Sequence, residues 1–191
     1  QEGIEEVDAV LFSHFHPDHT LGLRVLQGMG LSDMPIEDWV GSKTHVYMPR
    51  DVHEKIVENS SVLGHILGEW ADVRVIEHGD VFEVNGVEVK AIGWREQPGD
   101  EDRNIFGYLF EKGGDRVLVS PDENKNIPAE ELGPLDLWIK ECGIFERTPD
   151  GTRIRSKERF EKDIQTEMTF EESMEQVSKV DADSVVLTEI E

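Results

Sequence analysis

The segment Ser13-His14-Phe15-His16-Pro17-Asp18-His19 places three imidazoles and a carboxylate within six residues. Imidazole nitrogen and carboxylate oxygen are ligands that zinc and related divalent ions accept, and one loop that carries four of them fixes much of their relative geometry. The chemistry to which these residue types point is therefore metal ligation. The plain alternative, a polar surface loop with incidental histidines, leaves unexplained why the cluster follows directly on an apolar run.

That run, Val7-Asp8-Ala9-Val10-Leu11-Phe12, predicts a buried strand whose carboxyl end delivers the histidines. Leu23 and Leu26 ahead of Gly28 and Gly30 predict a short helix over 20–29, stopped by glycine. A strand is expected over 44–48. A helix follows from Pro49-Arg50-Asp51 to about residue 59, with Asp51 as its cap and Val52, Ile56 and Val57 on one face. Short strands then run over 73–76, 81–84, 87–92, 105–111 and 117–120, and are expected to be antiparallel. Asn85-Gly86 and Gly113-Gly114 supply the positive φ values that tight hairpins need. Thr169-Phe170-Glu171-Glu172 has the form of a capping box, opening a helix with the stripe Phe170, Met174 and Val177 that ends near Lys179. A last strand over 184–188 meets Glu189. One domain over 1–191 is expected, with a linker-like stretch at 97–103.

Composition narrows the function. The chain has 191 residues, 37% of them hydrophobic, and 19 Lys+Arg against 42 Asp+Glu give a net charge of −23. An anionic surface repels phosphate backbones, which disfavours long nucleic acid as a partner; dispersed acidity also serves solvation in a salty cytoplasm. No stretch approaches the roughly 20 apolar residues of a membrane span. The single cysteine, Cys142, rules out an internal disulfide and is read as a buried small hydrophobe. No targeting segment is visible, and a cytoplasmic location is expected.

The spacing of His14, His16, Asp18 and His19 resembles the His-x-His-x-Asp-His signature of the metallo-β-lactamase superfamily. The resemblance implies an α/β (α+β) fold, an αββα sandwich of mainly antiparallel or mixed sheets with the site at one edge. It implies that His14 and His16 hold one metal and Asp18 and His19 a second, with a shared water as nucleophile. It extends through Phe106-Gly107-Tyr108-Leu109-Phe110-Glu111 and Arg116-Val117-Leu118-Val119-Ser120-Pro121-Asp122, which makes Asp122 the bridging aspartate, and on to the strands around Trp138 and Leu187. Among subfamilies it is most similar to the phosphodiesterase branch, which includes the tRNA 3′-end-processing endonuclease and the cyclic phosphodiesterase of phosphonate breakdown. Members of the family carry further strands ahead of the histidine motif, so the N-terminal part of the sandwich is expected to be missing from this chain.

Three positions depart from that branch. Where it has a metal-binding histidine after the strand at 87–92, this chain reads Gly93-Trp94-Arg95. Where its last strand ends Leu-Thr-His, this one ends Leu187-Thr188-Glu189, and Glu167 stands where the branch carries a histidine ahead of the helix at Thr169. Glutamate can ligate a hard cation, and with a raised pKa can protonate a leaving group. The expected metal set is accordingly His14, His16, Asp18, His19, Asp122 and Glu189, with Asp18 and Glu167 in the catalytic roles. The cofactor is one or two divalent ions, zinc first, with manganese or iron as alternatives.

The function expected is metal-dependent hydrolysis of a small phosphodiester or cyclic phosphate by a metal-activated water. Hydrolysis of a thioester, lactone or amide on the same scaffold is the alternative, as is a degenerate homologue that binds metal or a partner without turnover. A homodimer is also open. Arg147, Arg153, Arg155, Lys157, Arg159 and Lys162 form the one basic stretch, either phosphate-facing through Arg153 or Arg155, or a solvated segment neutralised by Asp150, Glu158, Glu161 and Asp163. His45, His53, His65 and His78 are read as structural, Trp39, Trp70 and Trp138 as core or core edge, and Trp94 as a residue that could line the site.

Overall fold

The computed structural model describes residues 7–24, 26, 43–97, 99 and 103–190. Two sheets carry the fold. Strands β1 (Ala9–Leu11), β2 (Thr44–Pro49) and β3 (Ala71–Ile76) form a parallel three-stranded sheet in that order. Helices α2 (Arg50–Asn59) and α3 (Ser61–Trp70) connect β2 to β3, while α1 (Pro17–Thr20) follows β1. The second sheet runs in sequence order through β4 (Val81–Val84), β5 (Val87–Trp94), β6 (Ile105–Lys112), β7 (Asp115–Ser120), β8 (Leu135–Gly143) and β9 (Ala182–Ile190). It is antiparallel from β4 to β7 and parallel from β7 to β9. Helices α4 (Lys157–Asp163) and α5 (Phe170–Val177) lie in the β8–β9 crossover.

The alternation of side chains along a strand produces three separate cores, one in each gap of a four-layer sandwich. Val46 and Met48 of β2 face α2 and α3 with Val52, Ile56 and Leu67. Tyr47, one residue out of phase, faces the other sheet, where it meets Val89, Ala91, Phe106 and Tyr108. The alternate residues of β5 and β6, Ile92, Trp94, Ile105 and Leu109, turn outward against Trp138 and the Val177 end of α5. The expected αββα layering is therefore present.

Several local expectations change. The strand predicted at 73–76 is not part of the antiparallel series; it is β3, parallel to β2, because the α2–α3 connection is long enough to cross over and return it in the same direction. Asp51 does not cap α2. Pro49 occupies the cap position, and Asp51 instead pairs with Lys55 one turn on, at 3.0 Å. The helix predicted over 20–29 is α1 followed by a 3-10 turn at Leu21–Leu23, and most of its second half, with Trp39, lies outside the described residues. The Thr169 capping box forms as expected, but α5 buries Ser173, while Met174 is exposed. Asn85 and Gly86 take φ of 50° and 74°, as the hairpin requires.

The exit of β1 is tied to both sheets. Phe12 N–H donates to the Tyr47 carbonyl at 3.0 Å, and Phe106 N–H donates to the Ser13 carbonyl at 2.9 Å. The buried Tyr108 hydroxyl donates to the Phe12 carbonyl, and burial keeps that phenol far above its ordinary pKa. Tyr108→Phe leaves this buried carbonyl unsatisfied, and chemical denaturation should show a loss of about 1–3 kcal/mol of stability.

Candidate metal centre

Strands β5, β7, β8 and β9 run in one direction, so their carboxyl ends share an edge of the second sheet, and the β1 loop arrives at the same edge. Ser13 orders that loop. Its hydroxyl lies 3.1 Å from His14 Nδ1 and 3.4 Å from His19 Nδ1. A serine oxygen that accepts from both rings would place hydrogen on each Nδ1 and free both Nε2 atoms to ligate an ion. Both Nε2 atoms face Asp122 Oδ2, at 3.7 Å from His14 and 3.4 Å from His19. His16 Nδ1 lies 3.5 Å from Glu123 Oε1, and Asp18 Oδ2 lies 3.2 Å from His19 Nε2.

One potential ligand atom from each of His14, His16, Asp122 and Glu123 falls within 4.8 Å of the others. The His14–Asp122 and His16–Glu123 separations exceed those of charge-assisted hydrogen bonds, about 2.7–2.9 Å. They are close to the roughly 3.4 Å that separates neighbouring donors in a tetrahedral set with bonds of about 2.1 Å. His14 Nε2 and Glu123 Oε2 are buried without a hydrogen-bond partner. Native interiors rarely leave such atoms orphaned, and a divalent ion held by this group would give them a partner, so the donor set fits the cofactor expected from the sequence.

Electrostatics agree with ligand duty for His14 and Asp122. Burial lowers the His14 pKa to about 3, aided by the neighbouring His19 and His16, so the imidazole is neutral across the physiological range. Burial pushes the Asp122 carboxyl up, but His19, Glu141, His14 and the Glu123 N–H together bring it below the ordinary carboxylate value. Glu141 rises to about 8, first through burial and then through the charge of Asp122. Glu123 rises to about 9 through burial and the carboxylates of Glu96, Asp122, Glu167 and Glu141.

The sequence-predicted residues are thus placed unequally. His14, His16, His19 and Asp122 come together. Asp18 joins them through His19, although 72% of its side chain is exposed. Glu167 belongs to a second group, in which ligand atoms of Asp122, Glu141 and Glu167 also lie within 4.8 Å of one another. Glu189 lies at the end of β9, and its side chain is outside the described residues. Trp94 is buried and does not line an open site; its indole N–H donates to the Glu123 carbonyl at 2.7 Å. Arg153 pairs with Glu146, and Arg155 and Arg159 pair with Asp163, which is the mixed-charge arrangement rather than a free phosphate clamp. His78 accepts from Gly93 N–H at 3.0 Å and His45 pairs with Asp72, both structural as expected.

Glu123 and Glu141 were not singled out by the sequence. Glu141 had a signal, one of an adjacent charged pair inside the otherwise apolar strand Leu137-Trp138-Ile139-Lys140-Glu141-Cys142; Glu123 had only its position beside Asp122.

Comparison with known proteins gives a consistent picture. A family model described as the beta-lactamase superfamily domain matches residues 1–190. None of the curated proteins matches this sequence. Among solved structures, a diphosphatase from the PhnP family is similar at 20% identity with a TM-score of 0.70, covering 99% of this chain and 62% of its own. Zinc-bound PqqB from Methylobacterium extorquens is similar at 17% identity and a TM-score of 0.66, with 100% and 62% covered. The short form of human tRNase Z is similar at 16% identity and a TM-score of 0.63, with 100% and 74% covered. The chain thus spans less than two thirds of the PhnP-family and PqqB chains.

Ser13→Ala removes the group that orients two imidazoles. Calorimetric titration of the metal-free protein with Zn²⁺ should show about 10–100-fold weaker binding than wild type.

Proposed function

The chain belongs to the beta-lactamase superfamily, and from that premise we propose that it is a metal-dependent hydrolase of phosphodiester or cyclic phosphate bonds in a small substrate. The observation that carries this reading is the convergence of His14, His16 and Asp122 at one sheet edge, with the buried His14 Nε2 lacking a hydrogen-bond partner. When bound there, a divalent ion supplies Lewis acidity and lowers the pKa of water toward neutrality.

The chain's own residues perform the remaining tasks. His14 and His16 present nitrogen donors, and the low proton affinity of His14 keeps its lone pair available at neutral pH. Asp122, held ionised by its neighbours, supplies an anionic oxygen between the His14 and His19 rings. Asp18 Oδ2 stands 3.2 Å from His19 Nε2 on its solvent side, where the two are placed to share an ion. Glu167, partly buried within 4.8 Å of the Asp122 and Glu141 ligand atoms, is the candidate to hand a proton to the leaving oxygen. Similarity to a PhnP-family diphosphatase supports the choice of a phosphorus ester. The net charge of −23 supports a small substrate over a long polyanion.

Hydrolysis of bis(p-nitrophenyl) phosphate should require added Zn²⁺ or Mn²⁺, be abolished by chelator, and fall by at least about 100-fold in His16→Ala. Metal-loaded protein that leaves a panel of linear and cyclic phosphodiesters untouched but cleaves thioesters or lactones would move the assignment to the carboxyl-ester class. Glu167→Gln should lower kcat by about 10²–10⁴-fold while leaving metal affinity within a few fold, since its role is proton transfer.

A further inference from the structure

Glu123 combines two uncommon features in one residue. Its backbone is left-handed, with φ 52° and ψ 42°, a conformation that disfavours any residue with a Cβ atom. Its side chain is 2% exposed and carries the orphaned Oε2. A strained backbone persists only where its surroundings hold it, and here the holding groups are explicit. Glu123 N–H donates to Asp122 Oδ1 at 2.9 Å and to Glu141 Oε2 at 3.0 Å. The next N–H, of Asn124, donates to Glu141 Oε1 at 2.6 Å. On the other side of the residue, the Glu123 carbonyl accepts from the Trp94 indole.

Glu141 and Trp94 therefore grip the same turn from two strands. The turn directs the Glu123 carboxylate back toward the histidine loop, where Oε1 stands 3.5 Å from His16 Nδ1. A purely structural carboxylate in this position would be expected to have both oxygens hydrogen-bonded, and Oε2 is not.

We infer that Glu123 is a direct ligand of the ion held by His14, His16 and Asp122, and that Trp94 and Glu141 are positioning residues that aim it. This rests on the metal-dependent reading above and adds to it the ligand that the histidine-side position otherwise lacks. Trp94 thus serves the ion without touching it. Carboxylate in place of a third imidazole also hardens the donor set toward oxygen-preferring ions.

The test is Co²⁺ titration of the full metal-free chain, followed by calorimetry and by the visible d–d absorption of the bound ion, with circular dichroism to verify folding. Glu123→Gln should weaken Co²⁺ binding at least about 100-fold and shift the absorption bands. Trp94→Phe, which removes the N–H but keeps an aromatic ring, should weaken it about 10-fold. The double variant should bind no more weakly than Glu123→Gln, because Trp94 acts through Glu123. Wild-type affinity and spectrum in Glu123→Gln would overturn the inference while leaving the metal-dependent reading intact, as would an equal effect of Trp94→Phe in both backgrounds. If Glu123→Gln does not fold, Trp94→Phe decides alone, and unchanged bands and affinity overturn the assignment. A wild-type chain that takes up no Co²⁺ would overturn both readings together.

Discussion

The site depends on the way the chain leaves β1. A loop rich in histidine gains little from being buried, and its backbone polar groups must find partners if it is. Here they do. The β2 carbonyl of Tyr47 extends the ladder to Phe12, and from the opposite sheet the Tyr108 hydroxyl and the Phe106 N–H take up the carbonyls of Phe12 and Ser13. With the loop stitched to both sheets, His14 is 2% exposed and sits where the carboxyl ends of the second sheet can reach it. Ser13 then sets the orientation of two rings with one hydroxyl. Everything downstream, from the Asp122 contact to the Glu123 contact, follows from that fixed starting point.

Burying so many titratable groups in a chain with a net charge of −23 creates an electrostatic problem. The same desolvation acts oppositely on the two kinds of side chain, driving the His14 imidazole toward its neutral form and the Glu123 and Glu141 carboxyls toward theirs. For histidine this is the form that binds metal. For the carboxyls it is not, so an ion bound through Glu123 would displace a proton. A dication adds positive charge among carboxylates that otherwise repel one another.

The sequence revealed the spacing of the histidine motif, the hairpins at Asn85-Gly86 and Gly113-Gly114, and the Thr169 capping box, because each depends on a few adjacent residues; Asp122 was singled out only by the resemblance to a family. It did not reveal the parallel placement of residues 73–76, since β-branched alternation reports burial on a face and not the direction of the partner strand. Nor did it show whether the basic stretch is free: that Arg155 and Arg159 both spend their charge on Asp163 depends on the turn of α4. Glu123 was hidden for a different reason. Its role depends on a left-handed backbone that nothing in Pro121-Asp122-Glu123-Asn124 requires, and that two distant side chains enforce.

The replacement of an expected imidazole by Trp94 then has a geometric explanation. Strands β5 and β7 are separated by one strand, so their ends stand about 10 Å apart along the edge. A donor absent at the end of β5 can be supplied from the end of β7 only if the chain there doubles back toward the histidines. The left-handed turn at Glu123 accomplishes this, but such a turn is unstable alone. A large side chain at position 94, packed against Ile92 and Ile105 and reaching with its N–H to the Glu123 carbonyl, both fills the interior and stabilises the turn. Histidine at 94 would offer less bulk for this core, whereas tryptophan fills it and holds the turn that carries Glu123. The donor set and the core packing of the second sheet are consequently a single problem, solved at positions 94, 123 and 141 together.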